Sequence, residues 1–85
     1  MKIMRVGDAF VNWDNIISCE VREAIHDGGI IAILEVESER VCKSFVVPDA
    51  TASEVCAAIH HGLYNYATFD LLNIVKMVKE QRNED

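Results

Sequence analysis

The side chains with the most chemical potential in this 85-residue sequence are a cysteine and two histidines in one short segment. Cys56, His60 and His61 lie within VCAAIHHGLYNY. Thiolate and imidazole are ligands that zinc prefers, and a cysteine beside a histidine can act as a nucleophile beside its base. Cys56 and His60 are four residues apart, which places them on one side of a helix. Two hypotheses follow, a metal site and a Cys–His enzyme.

The spacing of the remaining ligand-type residues does not support a metal site. A structural zinc site takes four ligands, typically in two spaced pairs. The other candidates, Cys19, His26 and Cys42, are scattered over predicted strands and a turn, and no C-x-x-C pair occurs. We therefore predict no metal and no cofactor.

A nucleophilic role for Cys56 is not favoured either. Ala52, Val55, Cys56, Ile59 and Leu63 recur at helical spacing, so Cys56 is predicted to face the core, where a thiol is inaccessible. His60 and His61 then fall near the helix end, where the helix dipole favours a cation. No glycine-rich phosphate loop or G-x-S-x-G motif is found. We predict no catalytic residue, and an enzyme using Cys56 or His60 remains only the weakest alternative.

Acidic residues dominate the charge, with a formal net charge of −6. Six acids lie between residues 20 and 39 against one arginine: Glu20, Glu23, Asp27, Glu35, Glu37 and Glu39. Such a charge repels phosphate backbones, which disfavours nucleic acid, and suits a protein partner with a basic surface. We predict that these six residues form an acidic docking edge, with simple solubility as the alternative interpretation.

Length and composition predict a single domain over residues 1–85. Half of the residues are apolar, and only one proline and four glycines occur. No apolar run approaches the ~20 residues that cross a bilayer, and the first ten residues do not resemble a signal peptide. Three cysteines without a secretion signal indicate reduced, buried thiols in a cytoplasmic protein.

The first half of the chain has the pattern of strands. Gly7-Asp8, Asn12–Asn15 and Asp27-Gly28 are turn signals between alternating or β-branched segments, and Pro48 ends the last of them. We predict an antiparallel β-meander of four to five strands over about residues 2–47. The strand beginning at Ile30 is apolar on both faces, so its first half is expected to be covered on both sides.

The second half predicts two helices. Thr51 and Glu54 fit a capping box that opens a helix over about residues 51–61, which Gly62 should end. A second helix is predicted over about residues 69–82, capped by Thr68 or Asp70. The fold class is therefore α+β, with a small meander followed by two C-terminal helices packed on one face.

Apolar and aromatic residues exceed what one small core requires. Tyr64, Tyr66 and Phe69 crowd the connection between the helices, and Leu72 and Met77 lie off the apolar stripe of the second helix. Trp13 lies in a polar turn, as a lid on the core or as an exposed anchor. We predict a homo-oligomer, a dimer in its simplest form, that buries this tail surface. With the two histidines, the predicted oligomer or ligand surface is Trp13, His60, His61, Tyr64, Tyr66, Phe69, Leu72 and Met77.

These features predict a small acidic binding protein that acts through protein–protein contact. Phage and mobile elements encode inhibitors of host macromolecular machines with this composition, an association at the level of class only. The alternative is an oligomer that binds or sequesters a nucleotide-like ligand, since aromatic rings stack on bases and histidines contact phosphate.

Overall fold

A computed structural model describes residues 1–83, which form six β-strands and two α-helices. In chain order the elements are β1 (Ile3–Val6), β2 (Ala9–Asn12), a 3-10 turn (Trp13–Asn15), β3 (Ile16–His26), β4 (Gly29–Ser38), β5 (Cys42–Pro48), α1 (Ala52–Asn65), β6 (Thr68–Asp70) and α2 (Leu71–Asn83). The predicted fold class, α+β with a meander followed by two C-terminal helices, is confirmed. The predicted meander of four to five strands was too long, because β1 and β2 leave it to form a separate sheet and only three strands remain.

The strands form two separate three-stranded sheets. The larger is the antiparallel meander β3-β4-β5, and the smaller has the order β2-β1-β6. In the smaller sheet β2 runs antiparallel to β1, while β6 runs parallel to β1 and places Phe69 opposite Met4. Strand β6 was not predicted, because three residues between two helices carry too little alternation to be recognised as a strand.

The hairpin between β3 and β4 follows the predicted turn chemistry. His26 pairs with Gly29, so Asp27 and Gly28 form a two-residue loop. Both have positive φ, 51° and 78°, as a type I′ turn requires. This turn fixes a register in which the whole length of β3 pairs with β4, apart from a bulge between Ile16 and Ser18.

The core lies between the helices and one face of the meander, called here the inner face. Its fully buried side chains include Met4 of β1, Leu34 of β4, Val47 of β5, Val55 of α1 and Leu71 of α2. Helix α1 contacts β3 and β4, and α2 contacts α1, β1 and β6. One hydrophobic cluster thus joins both sheets to both helices.

Helix α1 begins as predicted but ends later. Thr51 Oγ1 accepts a hydrogen bond from Glu54 N at 3.1 Å, and Glu54 Oε1 accepts one from Thr51 N at 2.9 Å, which completes the capping box. The prediction that Gly62 ends the helix was wrong, because α1 continues to Asn65 and Gly62 is buried inside it. The backbone of Tyr66 then donates to the carbonyl oxygen of Gly62 at 3.0 Å.

Helix α2 begins two residues later than predicted. Phe69 belongs to β6, and α2 starts at Leu71. Of the two predicted caps, Asp70 takes the role, since its Oδ1 accepts a hydrogen bond from Leu72 N at 3.1 Å.

Candidate functional site

The candidate site is the face of the meander opposite the core, called here the outer face. Side chains alternate along each strand, and paired residues of antiparallel strands point to the same side. The buried residues Ala32, Leu34 and Val36 define the inner face of β4. By alternation and register the outer face consists of Ser18, Glu20, Arg22, Ala24, Ile31, Ile33, Glu35, Glu37, Cys42, Ser44, Val46 and Pro48.

One half of the outer face is apolar. Ile33 lies opposite Val46 of β5, and Ile31 lies between Ala24 of β3 and Pro48 of β5. Val46 is 59% exposed, and Ile31 and Ile33 are only partly buried. The expectation that the start of β4 would be covered on both sides was therefore wrong. Among residues 1–83 the sheet is covered by helices on its inner face, and the apolar half is open.

The other half of the outer face is acidic. Glu20 lies directly opposite Glu35, and Glu37 lies on the same face two residues further along β4. The neighbouring serines hold these carboxylates, with Ser18 Oγ donating to Glu37 at 3.3 Å and Ser44 Oγ donating to Glu35 at 3.4 Å. Like charges directly opposite each other destabilise a sheet. The repulsion between Glu20 and Glu35 therefore lowers the stability of the sheet at this point.

Arg22 is the basic residue of the outer face and lies at the boundary between its two halves. Its Nη1 is 3.8 Å from Glu35 Oε2, and the arginine side chain is 56% exposed. A single partly solvated contact of this length offsets little of the repulsion between Glu20 and Glu35. Three carboxylates thus face one guanidinium on this surface.

The structure separates the six acids of the predicted docking edge. Glu20, Glu35 and Glu37 lie together on the outer face. Glu23 points to the inner side, where its Oε1 accepts a hydrogen bond from Ala52 N at 2.8 Å and so caps α1. Asp27 lies in the β3–β4 turn, and Glu39 lies in the β4–β5 turn at the opposite end of β4. The six acids therefore do not form one continuous edge. Three of them share the outer face, one caps α1, and two lie in turns at opposite ends of β4.

Cys56 is exposed, and so are Cys19 and Cys42. The prediction that the cysteines are buried was wrong, and for Cys56 the reason is a rotation of the packed side of α1. The buried residues of α1 include Val55, Ala58, Ile59 and Gly62. Ala58 and Gly62 lie outside the predicted apolar stripe, and their burial turns Cys56 towards solvent.

The two histidines lie on exposed positions in the last turns of α1. The His60 ring stacks near Tyr64, with centroids 6.1 Å apart, and the His61 ring meets Tyr66 edge-on at 6.0 Å. Tyr64 is 82% exposed. In residues 1–83, no group of three or more His, Cys, Asp or Glu side chains is arranged to hold a metal ion.

Cys19 and Cys56 come close enough to interact electrostatically. Cys19 is on the inner side of β3, the side on which α1 packs. Partial burial of its sulfur raises the pKa of the Cys19 thiol, and the Cys56 thiol raises it further. A raised pKa keeps a thiol protonated and makes it a poorer nucleophile near neutral pH.

Two of the remaining residues of the predicted tail surface, Trp13 and Phe69, are partly or wholly buried. Trp13 is partly buried against the core, and its Nε1 is shielded from solvent. Phe69 is buried against α1 and is a core residue, not a surface residue. Leu72 and Met77 are exposed on α2. Sequence patterns could not separate Phe69 from its exposed neighbours, because the strand that buries it was missed.

Comparison with protein-family models, with curated proteins and with solved structures finds no match to this chain. No helix in the described part of the chain has the length and apolar character needed to span a membrane.

Proposed function

We propose that this chain is a non-enzymatic protein-binding module that docks a basic, partly apolar protein surface on the outer face of its meander. The observation that carries the proposal is the pairing of Glu20 with Glu35 beside the open apolar half of the same sheet face. A partner that brings lysine or arginine to these carboxylates removes the repulsion on binding.

The two halves of the outer face have different roles in such a contact. Burying Ile31, Ile33 and Val46 against an apolar patch contributes roughly 25 cal/mol for each Å² removed from water. The carboxylates set the orientation and speed the encounter, because complementary charge chiefly controls specificity and association rate. The partner therefore carries an apolar centre with basic residues on one side.

Within this class, the chain suits a small inhibitor that occupies a basic surface of a larger macromolecular machine, as phage and mobile-element proteins do. The three free cysteines support a reducing compartment, the cytoplasm, as its place of action. We propose no catalytic step and no cofactor.

A nucleotide-binding function is the second candidate, and the His60–Tyr64 pair is the feature that favours it. An exposed tyrosine ring offers a stacking surface for a base, and a histidine can contact phosphate. The net charge of −6 opposes an anionic ligand, so this candidate ranks below protein binding.

Quantitative pull-down with matched variants separates these functions. The immobilised wild-type chain, Glu37→Lys and Val46→Asp are compared with Glu80→Lys and Leu72→Asp, which make the same kinds of change on α2. Protein docking on the outer face predicts a salt-sensitive partner that the α2 variants capture and the outer-face variants lose. A partner lost only with Leu72→Asp contradicts the outer face as the site, and thermal stabilisation by nucleotides that Tyr64→Ala abolishes supports the second candidate.

A further inference from the structure

The free edge of β3 is the longest unpaired strand edge in residues 1–83. β3 has 11 residues and pairs with β4 on one side only. Two large apolar side chains lie near its ends, Ile17 at 68% exposure and Ile25 at 82%. An exposed strand edge offers unpaired N–H and C=O groups to another strand, and large apolar residues on it promote such pairing.

The sequence of β3 is arranged around Val21 so that an antiparallel copy of the strand is complementary to it. Glu20 and Arg22 are one residue from Val21 on either side, and Ile17 and Ile25 are four residues from it. In an antiparallel pair of identical strands centred on Val21, Glu20 of each copy faces Arg22 of the other. Ile17, at the bulge, comes beside Ile25 of the other copy.

We propose that two copies of this chain pair through the free edges of their β3 strands, antiparallel and with the two-fold axis at Val21. The three-stranded meanders then join into one continuous sheet. The interface is isologous, so each favourable contact away from the axis occurs twice. This inference rests on the β3 edge and does not depend on the proposed function.

Charge selects this register over its neighbours. Paired residues of two antiparallel strands point to the same side of the sheet. For two copies of β3 this holds only when the two-fold axis passes at a residue and not between two residues. Centres at Glu20, Arg22 or Glu23 place like charges opposite each other, which is unfavourable. A centre at Cys19 shortens the pairing and forms no opposite-charge pair. Only the centre at Val21 forms two Glu–Arg pairs and also joins the exposed isoleucines.

In the single chain, Arg22 is available for a contact with a second copy. Its contact with Glu35 is 3.8 Å long, and its side chain remains largely accessible. In the paired sheet it lies between Glu35 of its own chain and Glu20 of the second copy, so the acidic half of the outer face gains a second cation. The pairing surface differs from the tail surface that the sequence predicted for self-association.

A charge-swap experiment on purified chains tests both the interface and its register. Glu20→Arg brings a second arginine opposite Arg22, and Arg22→Glu brings a second glutamate opposite Glu20, so each variant alone has only like-charge pairs beside the axis. Mixed in equal amounts, the two variants restore two opposite-charge pairs per heterodimer. Glu39→Arg, in the β4–β5 turn, is the matched control, and circular dichroism checks the fold of every variant.

Sedimentation velocity over a concentration series measures the result. We expect wild type and Glu39→Arg to dimerise, each single variant to raise the dissociation constant by about tenfold or more, and the mixture to recover dimers. A wild-type chain that stays monomeric in the high micromolar range overturns the proposal. So does a dimer that both single variants leave unchanged, or a mixture of folded variants that forms no heterodimer. Because no basic partner is present, failure here leaves the outer-face proposal standing.

Discussion

Gly62 of α1 lies directly against the aromatic ring of Phe69. A Cβ atom on Gly62 would come within 2.7 Å of Phe69 Cγ and 2.5 Å of Phe69 Cε2, closer than carbon atoms approach in proteins. Gly62 therefore serves to let a helix and the strand β6 approach each other. Its presence inside α1 costs helix stability, roughly 0.5–1 kcal/mol relative to alanine, which this close packing offsets.

Gly62→Ala should destabilise the fold although alanine is the better helix former. The added methyl group forces the Phe69 ring or β6 to move, and overpacking of this kind costs about 1–3 kcal/mol. Urea unfolding measures the effect. Gly29→Ala is the matched control, because its Cβ would meet only His26 O at an ordinary 3.7 Å. A Gly62→Ala protein more stable than wild type would contradict the packing role.

Gly62 also shows where sequence analysis of this chain stops. The capping box at Thr51 and the Asp27-Gly28 turn were predictable, because each depends on residues close in sequence. The end of α1 was not predictable, because the role of Gly62 depends on its contact with Phe69. Phe69 is placed there by the pairing of β6 with β1. Contacts between distant segments decide such positions, and local patterns do not record them.

The outer face was hidden from sequence analysis for a related reason. Ile31 and Ile33 alternate with buried residues of β4, a pattern that indicates coverage on both faces. The prediction placed both helices on one face of the sheet, but the alternation of β4 did not show which of its faces they leave open. The acidic cluster was predictable as composition, but the separation of Glu23 from Glu20 required the register of β3 against β4 and the position of α1.

Glu23→Ala should destabilise the protein, because Glu23 caps α1 from another element. The substitution removes the acceptor of the Ala52 N–H and a negative charge beside the helix N-terminus. Loss of a capping interaction costs typically about 1 kcal/mol. Thermal unfolding compares it with Glu39→Ala, an exposed turn residue that should change stability by less than about 0.5 kcal/mol. Equal melting temperatures for the two variants would remove the capping role.

Capture of a protein partner should depend on the acids of the outer face and not on the acid that caps α1. Glu37→Ala should weaken capture because it removes a carboxylate from the outer face, whereas Glu23→Ala should retain it once the protein is kept below its melting temperature. Binding measured by surface plasmon resonance against the captured partner, at low and high salt, distinguishes them. Equal losses in both variants would mean that total charge, and not the outer face, controls binding.

Trp13 should report directly on the integrity of the core. It is the only tryptophan, its ring packs against the core, and its Nε1 is buried without an acceptor among residues 1–83. Its fluorescence should therefore be blue-shifted in the folded protein and move to longer wavelength on unfolding. Trp13→Phe should cost less stability than Trp13→Ala, because phenylalanine retains most of the apolar contact and removes an unpaired donor. A solvent-like emission maximum in the folded protein would instead make Trp13 an exposed anchor.

The raised pKa of the Cys19 thiol predicts how stability changes with pH. Partial burial and then the Cys56 thiol make the folded state hold the Cys19 proton more tightly than the unfolded state does. This contribution is complete below the ordinary thiol pKa and is lost as pH rises through the folded value. Above neutral pH the free energy of unfolding should therefore fall more steeply in wild type than in Cys19→Ser. Urea unfolding at several alkaline pH values measures these slopes, and parallel slopes for wild type and Cys19→Ser would show that folding does not perturb the thiol.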